Sequence, residues 1–240
     1  MCDSPKADET LDVFCGGKVR LIQKKKGYRL SIDPFLLANF IDLKKGETLL
    51  DIGSGCGIIP VYLSRRGFAN RLAGIEVQEE LYELSLRNKA LNMCTNVEFL
   101  KGDVRTAGIG PGSFEVIVSN PPYVKAGTGR TSPGRSRLIA RHESALDLPA
   151  LVSTAAFLLP THGRLCLVYP ARRLAELIGA AQSAGLEPKR LRPVYSRQGE
   201  AAVLSLVECM KGAGKGLSVE RPLYIYENDD YTEEVKRYYA

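Results

Sequence analysis

Hydrophobic and polar positions change rhythm near residue 47 of this 240-residue chain. Upstream, Val19-Arg20-Leu21-Ile22-Gln23 predicts one short strand, followed by the basic run Lys24-Lys25-Lys26-Gly27-Tyr28-Arg29. Asp33 can then cap a helix, Pro34 suits its first position, and Leu36, Leu37, Phe40 and Ile41 make an apolar stripe. From Glu47 onward, short apolar runs alternate with amphipathic segments. Strands are predicted at 49–52, 71–77, 97–100, 114–118 and 164–168. Helices are predicted at 58–66, 78–91 and 147–159, and along a stripe of Leu174, Leu177, Ile178 and Ala181 that stops at Gly185. Two closing strands, 189–195 and 202–207, are joined by Ser196-Arg197-Gln198-Gly199, a link short enough to predict an antiparallel pair.

This alternation predicts an α/β fold with a seven-stranded, mostly parallel sheet, helices on both faces and an antiparallel last strand. The expected organisation is a disordered tail at 1–10, a short N-terminal extension at 11–46, a core domain at 47–210, and a linker and C-terminal tail at 211–240 packing on the core.

Composition narrows the picture. Apolar residues make up 45 % and charged residues 25 %, ordinary for a folded chain and outside the fibrous and disordered classes. No apolar run is long enough for a membrane span, and Met1 to Thr10 lacks the apolar stretch of a secretory signal, so a cytoplasmic protein is expected. The six cysteines form no CxxC pair and the two histidines are not spaced with them as zinc ligands, so no metal is expected. Thirty-three Lys and Arg against 27 Asp and Glu leave a net charge of +6, which matters only where it clusters.

In a parallel sheet, ligands bind beyond the carboxyl ends of the strands. The first core strand ends in Asp51-Ile52-Gly53-Ser54-Gly55-Cys56-Gly57 and opens a helix. Three alternating glycines allow a tight turn and close approach of backbone to ligand, and the helix start presents free N–H groups. The second strand ends at Glu76-Val77, where a carboxylate can accept from both hydroxyls of a ribose. The third ends in Gly102-Asp103-Val104, which by itself also reads as a turn. The fourth ends in Asn120-Pro121-Pro122-Tyr123. Its prolines stop the strand and stiffen the turn, holding an Asn side chain and a proline carbonyl as fixed acceptors with an aromatic ring close behind.

The glycine loop is not the GxGxxG dinucleotide fingerprint. It resembles motif I of class I S-adenosylmethionine-dependent methyltransferases, which implies their Rossmann-like fold and S-adenosyl-L-methionine as cofactor. The resemblance implies that Gly53, Gly55 and Gly57 wrap the methionine part, Asp51 holds its amino group, Glu76 with Val77 takes the ribose, and Asp103 with Val104 clasps the adenine. Asn120-Pro121-Pro122-Tyr123 resembles the signature of amino-methyltransferases. There, Asn120 and Pro121 would grip the N–H groups of a delocalised amine so that its lone pair faces the methyl, and Tyr123 would stack the planar acceptor.

The acceptor is read from the remaining chain. Val124 to Arg141 carries Lys125, Arg130, Arg135, Arg137 and Arg141 and no acid. With Lys24, Lys25 and Lys26 these form two basic clusters suited to phosphates. The segments 23–29 and 32–38, Arg141-His142-Glu143 and Pro222-Leu223-Tyr224-Ile225-Tyr226 resemble bacterial tRNA adenine-N6 methyltransferases acting beside the anticodon of a valine tRNA. That resemblance implies tRNA as the partner, and places Arg29 and Asp33 at the border of the cofactor pocket. Rival readings are a glutamine methyltransferase of release factors, a guanine-amine methyltransferase of ribosomal RNA, and a cofactor-sensing RNA-binding protein without catalysis. No obligatory protein partner is expected, and the chain is read as a monomer or homodimer.

Overall fold

The computed structural model describes residues 4–26, 30–121 and 146–239. Strands β1 (Glu9–Phe14) and β2 (Val19–Lys24) form an antiparallel hairpin. Helix α1 (Asp33–Phe40) leads into β3 (Leu49–Ile52), α2 (Ile58–Arg65), β4 (Leu72–Glu76), α3 (Glu79–Leu91), β5 (Val97–Lys101) and β6 (Val116–Ser119). The second half holds α4 (Leu148–Leu158), β7 (Arg164–Pro170), α5 (Leu174–Ser183), β8 (Leu186–Tyr195) and β9 (Ala202–Lys211). Four two-residue strands follow, β10 (Ser218–Val219), β11 (Leu223–Tyr224), β12 (Tyr226–Glu227) and β13 (Asp230–Tyr231), and then α6 (Glu233–Tyr238).

The central sheet runs β8-β9-β7-β6-β3-β4-β5, with the short β10 and β11 extending its edge alongside β8. Pairings from β7 to β5 are parallel, and β9 is antiparallel to both β7 and β8. The expected fold class is therefore observed, with two edge strands that periodicity could not reveal because two residues carry no period.

Alternation along each strand separates two cores. Leu49, Val116, Val118, Cys166 and Val168 face α1 and α2, whereas Leu50, Ile117, Leu165, Leu167 and Tyr169 face α4 and α5. Both faces are covered by helices, as a parallel sheet requires. Asp147 caps α4 as expected, accepting from the Ala150 N–H at 2.8 Å. Asp33 does not cap α1: it lies inside the first turn, and Ile32 occupies the cap position.

The termini depart most from expectation. Order begins within the segment read as a tail, because the Glu9 carboxylate is buried at the start of β1 against the Arg87 guanidinium at 2.8 Å and the Lys6 N–H at 2.8 Å. Helix α1 is buried nearly all round, not along one stripe: Pro34, Phe35, Leu36, Leu37, Ala38 and Phe40 all lie inside. The sheet covers one side and the C-terminal segment the other. The Phe35 ring lies 5.1 Å from Phe14, 5.2 Å from Tyr62 and 4.7 Å from Tyr239, so one aromatic cluster joins the hairpin, two helices and the chain end. The Tyr62 hydroxyl donates to the Tyr238 carbonyl at 2.9 Å, and Val235 is fully buried.

Phe35→Ala is expected to cost about 3–5 kcal/mol, the range for removing a fully buried ring without collapse of the cavity. Urea unfolding checks this, with the midpoint falling and the slope unchanged.

Candidate active site

Strand register brings the sequence motifs to one edge. Asp51 of β3 pairs with Val118 of β6 on one side and Gly74 of β4 on the other, and Glu76 pairs with Lys101 of β5. Two residues further along their strands stand Gly53, Asn120 and Asp103. Neighbouring strands are about 4.8 Å apart. The glycine loop therefore lies between the Asn120 turn and Glu76, with Asp103 one strand beyond.

The loop is built from backbone that only glycine adopts readily. Gly53, Gly55 and Gly57 have φ of 74°, 56° and 84°. A Cβ at Gly53 or Gly55 would meet open space, which leaves a bare backbone cradle, whereas at Gly57 it would fall 2.4 Å from the Phe99 ring. Gly74 on β4 is needed for a related reason: a Cβ there would lie 2.7 Å from Phe99 and 2.8 Å from Ser54.

Asp51 and Glu76 are each 2 % exposed. Glu76 accepts from the Gly55 N–H and the Gln78 N–H, both at 2.9 Å, so its carboxylate pins the glycine loop to β4. An ionised carboxylate has about four acceptor sites, so hydroxyls of a ligand can still be taken. Asp51 has no hydrogen-bond donor among the described residues. Burial pushes its carboxyl well above the usual carboxylate range, and the neighbouring Glu76 charge pushes it further. Two buried acids and a bare glycine cradle fit S-adenosylmethionine, whose ammonium would supply the missing positive charge. The Ser54 hydroxyl, buried and without a partner among the described residues, adds a polar group in the same loop that the motif reading missed.

Beside Glu76, Val77 is 44 % exposed, an apolar ledge at the mouth of the cradle. Val104 is buried beneath the third strand end. Asp103 differs from expectation, because both its oxygens are engaged by Arg105, with Nε at 3.0 Å from each and Nη2 at 2.5 Å from one. This pairing holds the Asp103 carboxyl below its usual range. An adenine amine there would share Asp103 with Arg105 or displace it.

Asn120 and Pro121 are half-buried at the end of β6. Ser119, unnoticed in the sequence, fixes them: its buried hydroxyl donates to the Ile52 carbonyl at 2.7 Å and ties this turn to the start of the glycine loop. Tyr123, Arg29, Lys125, Arg130, Arg135, Arg137, Arg141 and His142 lie outside the described residues. Asp33 is half-buried at the start of α1.

The first basic cluster requires correction. Lys24 Nζ lies 2.9 Å from Asp8, 3.0 Å from Glu80 and 3.5 Å from Glu9, so it is neutralised by three acids from two segments, the start of β1 and α3, and is not a free phosphate ligand. Lys25 is exposed and donates to the Ala7 carbonyl at 2.9 Å, and Lys26 is exposed. Among the described residues, no helix is long and apolar enough to cross a membrane.

Sheet order, glycine loop and strand-end acids are those of the methyltransferase fold, and the class is shown by a family match. The Methyltransferase small domain family matches residues 29–176, and the chain belongs to that family. Among its curated relatives, a tRNA1(Val) (adenine(37)-N6)-methyltransferase of Porphyromonas gingivalis (strain ATCC 33277) is 36 % identical over 192 residues, covering 76 % of this chain and 74 % of the relative. Proteins of the same name from Tolumonas auensis and Actinobacillus pleuropneumoniae serotype 7 are 28 % and 27 % identical, covering 77 % and 89 % of both partners. In fold, the chain is similar to a predicted O-methyltransferase of Agrobacterium tumefaciens, with a TM-score of 0.70, 23 % identity, and coverage of 87 % of this chain and 97 % of that one. It is also similar to the [4+2]-cyclase SpnF, with a TM-score of 0.58, 15 % identity, and coverage of 75 % and 80 %. Such different chemistries on one scaffold mean that the reaction must be read from the site.

Because Asp51 is harder to ionise when folded than when unfolded, the cofactor-free protein loses stability as pH rises from the ordinary carboxylate range through the raised value. Asp51→Asn removes that cost. At neutral pH its cofactor-free Tm is expected to rise by about 2–4 °C, the shift that 1 kcal/mol produces in a chain of this size. Its affinity for S-adenosylhomocysteine is expected to fall about tenfold or more through loss of a charge-assisted bond. Thermal scans between pH 4 and 8 and calorimetric titration check both.

Proposed function

We propose that the protein transfers a methyl group from S-adenosyl-L-methionine to the exocyclic N6 amine of adenine 37 in tRNA1(Val). The observation that carries this reading is the Asn120-Pro121 turn, locked by Ser119 beside the glycine cradle. It offers amide and carbonyl acceptors where an amine would meet the cofactor. The relatives' shared name supports the choice of adenine in tRNA over glutamine or guanine.

Each group of the chain has a stated task. Asp51 meets the cofactor's ammonium, and Gly53, Gly55 and Gly57 let the backbone close around its methionine part. Glu76 and Val77 receive the ribose, and Asp103 and Val104 the adenine. Bound S-adenosylmethionine supplies an electrophilic methyl on a sulfonium. An adenine amine is a poor nucleophile because its lone pair is delocalised into the ring. The Asn120 side-chain oxygen and the Pro121 carbonyl accept hydrogen bonds from its two N–H groups, which favours a geometry with the lone pair free. As the N–C bond forms the methyl–sulfur bond breaks, the thioether leaves, and the methylated nitrogen gives up one proton to water. Positioning and preorganised dipoles then do most of the catalysis.

Adenine inside an ordered anticodon loop must leave its stack to reach such a pocket, and an aromatic ring can hold the flipped base. Tyr123 is assigned that role. Lys25, Lys26, Lys125, Arg130, Arg135, Arg137 and Arg141 are assigned to tRNA phosphates, and Arg29 and Asp33 to the border of the cofactor pocket. A tRNA substrate assigns the reaction to the cytoplasm.

Asn120→Ala is expected to lower kcat about 100-fold or more, the scale for removing one preorganised polar group, while leaving S-adenosylhomocysteine affinity within about twofold. Methylation of unmodified tRNA followed by nucleoside mass spectrometry measures the first, and calorimetry the second. Transfer at the wild-type rate would sink the mechanism. A host lacking the protein is expected to lose N6-methyladenosine from this tRNA. Loss of methylglutamine from release factors would favour the rival substrate.

A further inference from the structure

Two asparagines on α3 carry more of the cofactor loop's geometry than any motif indicates. Asn88 lies in the helix interior, fully buried, and Asn92 follows the last turn, nearly buried. Asparagine is a poor helix former, and a buried carboxamide is costly unless its donors and acceptor are all matched. Here they are matched by strand backbone. The Ile22 N–H donates to Asn88 Oδ1 at 2.7 Å, and Asn88 Nδ2 returns a bond to the Ile22 carbonyl at 3.1 Å. Two residues back, the Arg20 N–H donates to Asn92 Oδ1 at 2.9 Å, and Asn92 Nδ2 donates to the Arg20 carbonyl at 2.6 Å.

The spacing explains the fit. Four residues of helix advance about 6 Å and two residues of strand about 6.8 Å, so carboxamides four apart on α3 can meet alternate residues of β2. The side chains thus act as a surrogate neighbouring strand along the edge of β2 that β1 leaves open.

Asn88 does one thing that Asn92 does not. Its Nδ2 also donates to the Cys56 carbonyl at 2.9 Å, inside the glycine loop. Asn92 Nδ2 instead takes the Asn88 carbonyl at 2.7 Å, within its own helix. We propose that Asn88 is a positioning residue for the cofactor: one carboxamide fixes the Cys56 peptide between Gly55 and Gly57 and at the same time fixes β2, so that the cradle and the N-terminal hairpin hold their places together. Glu76 pins the loop through the Gly55 N–H from one side, and Asn88 pins it through the Cys56 carbonyl from the other. The inference rests on the proposed use of this loop for S-adenosylmethionine.

The matched pair Asn88→Ala and Asn92→Ala tests it, because both loosen the hairpin and only the first reaches the loop. Calorimetric titration with S-adenosylhomocysteine is expected to show Asn92→Ala within about twofold of the wild-type Kd and Asn88→Ala weaker by about tenfold or more, the scale of one lost buried hydrogen bond. In tRNA methylation, Asn88→Ala is expected to raise the cofactor KM while kcat at saturating cofactor stays within about threefold, since it touches neither substrate. Asn88→Ser replaces the alanine variant if the latter does not fold. Equal affinities in the two variants, alongside equal losses of Tm, would overturn the positioning role and leave the proposed function standing. A wild-type protein that does not bind S-adenosylhomocysteine would overturn both.

Discussion

Asp51 and Glu76 end adjacent parallel strands, each with 2 % of its surface exposed, and ionised carboxylates resist such burial unless donors or a cation meet them. Glu76 is met by two backbone N–H groups, one from the glycine loop and one from the start of α3. Asp51 is met by neither among the described residues. The remaining architecture makes this arrangement possible. Gly74 leaves room for the Phe99 ring and Ser54, Phe99 in turn requires glycine at 57, and the loop closes above the acids in a left-handed backbone. A side chain at any of these points would move the loop away from the charge it serves. The stability spent on an uncompensated buried acid is the counterpart of affinity for a cationic ligand, a trade common where a site is organised before its ligand arrives.

A second constraint acts on the opposite side of the same loop. The N-terminal hairpin is outside the central sheet, and the outer edge of β2 would leave polar backbone unpaired against α3. Asn88 and Asn92 close that edge, while Phe35 and the tyrosines of the chain end close the far side of α1. The termini therefore form a layer over the first core. This explains why α1 is apolar around nearly its whole circumference, a pattern that belongs to enclosed helices rather than surface ones.

The strand-end motifs were legible in the sequence because their signals are local. An apolar run, a glycine-rich turn and a helix start are contiguous, and parallel topology then carries their ends to one edge. Asn120 could be placed beside the cradle for the same reason. The Asp103–Arg105 pair is also local, but a spacing of two residues does not by itself bring two side chains together; the turn that follows β5 does. The pairing of Lys24 is hidden from the sequence for a different reason. Its own neighbours in sequence are basic, and two of its three carboxylate partners, Glu9 and Glu80, are brought in by the hairpin and by α3. Charge counted along the chain is not charge in space.

The sequence by itself determined the α/β class, the order of strands and helices, the glycine cradle and the acids and acceptors that end its strands, since each follows from residue type and period within a dozen positions. Tertiary structure alone decided how those groups are held: which backbone N–H groups Glu76 takes, that Asp51 takes none among the described residues, that Ser119 fastens the Asn120 turn to Ile52, and that Asn88 joins the hairpin to the loop. Apart from the Gln78 N–H, two residues from Glu76, these are contacts between segments 21 to 67 residues apart. Their partners are single polar atoms, and a single polar atom has no periodicity to announce it; only burial, which the whole fold creates, makes the pairing obligatory.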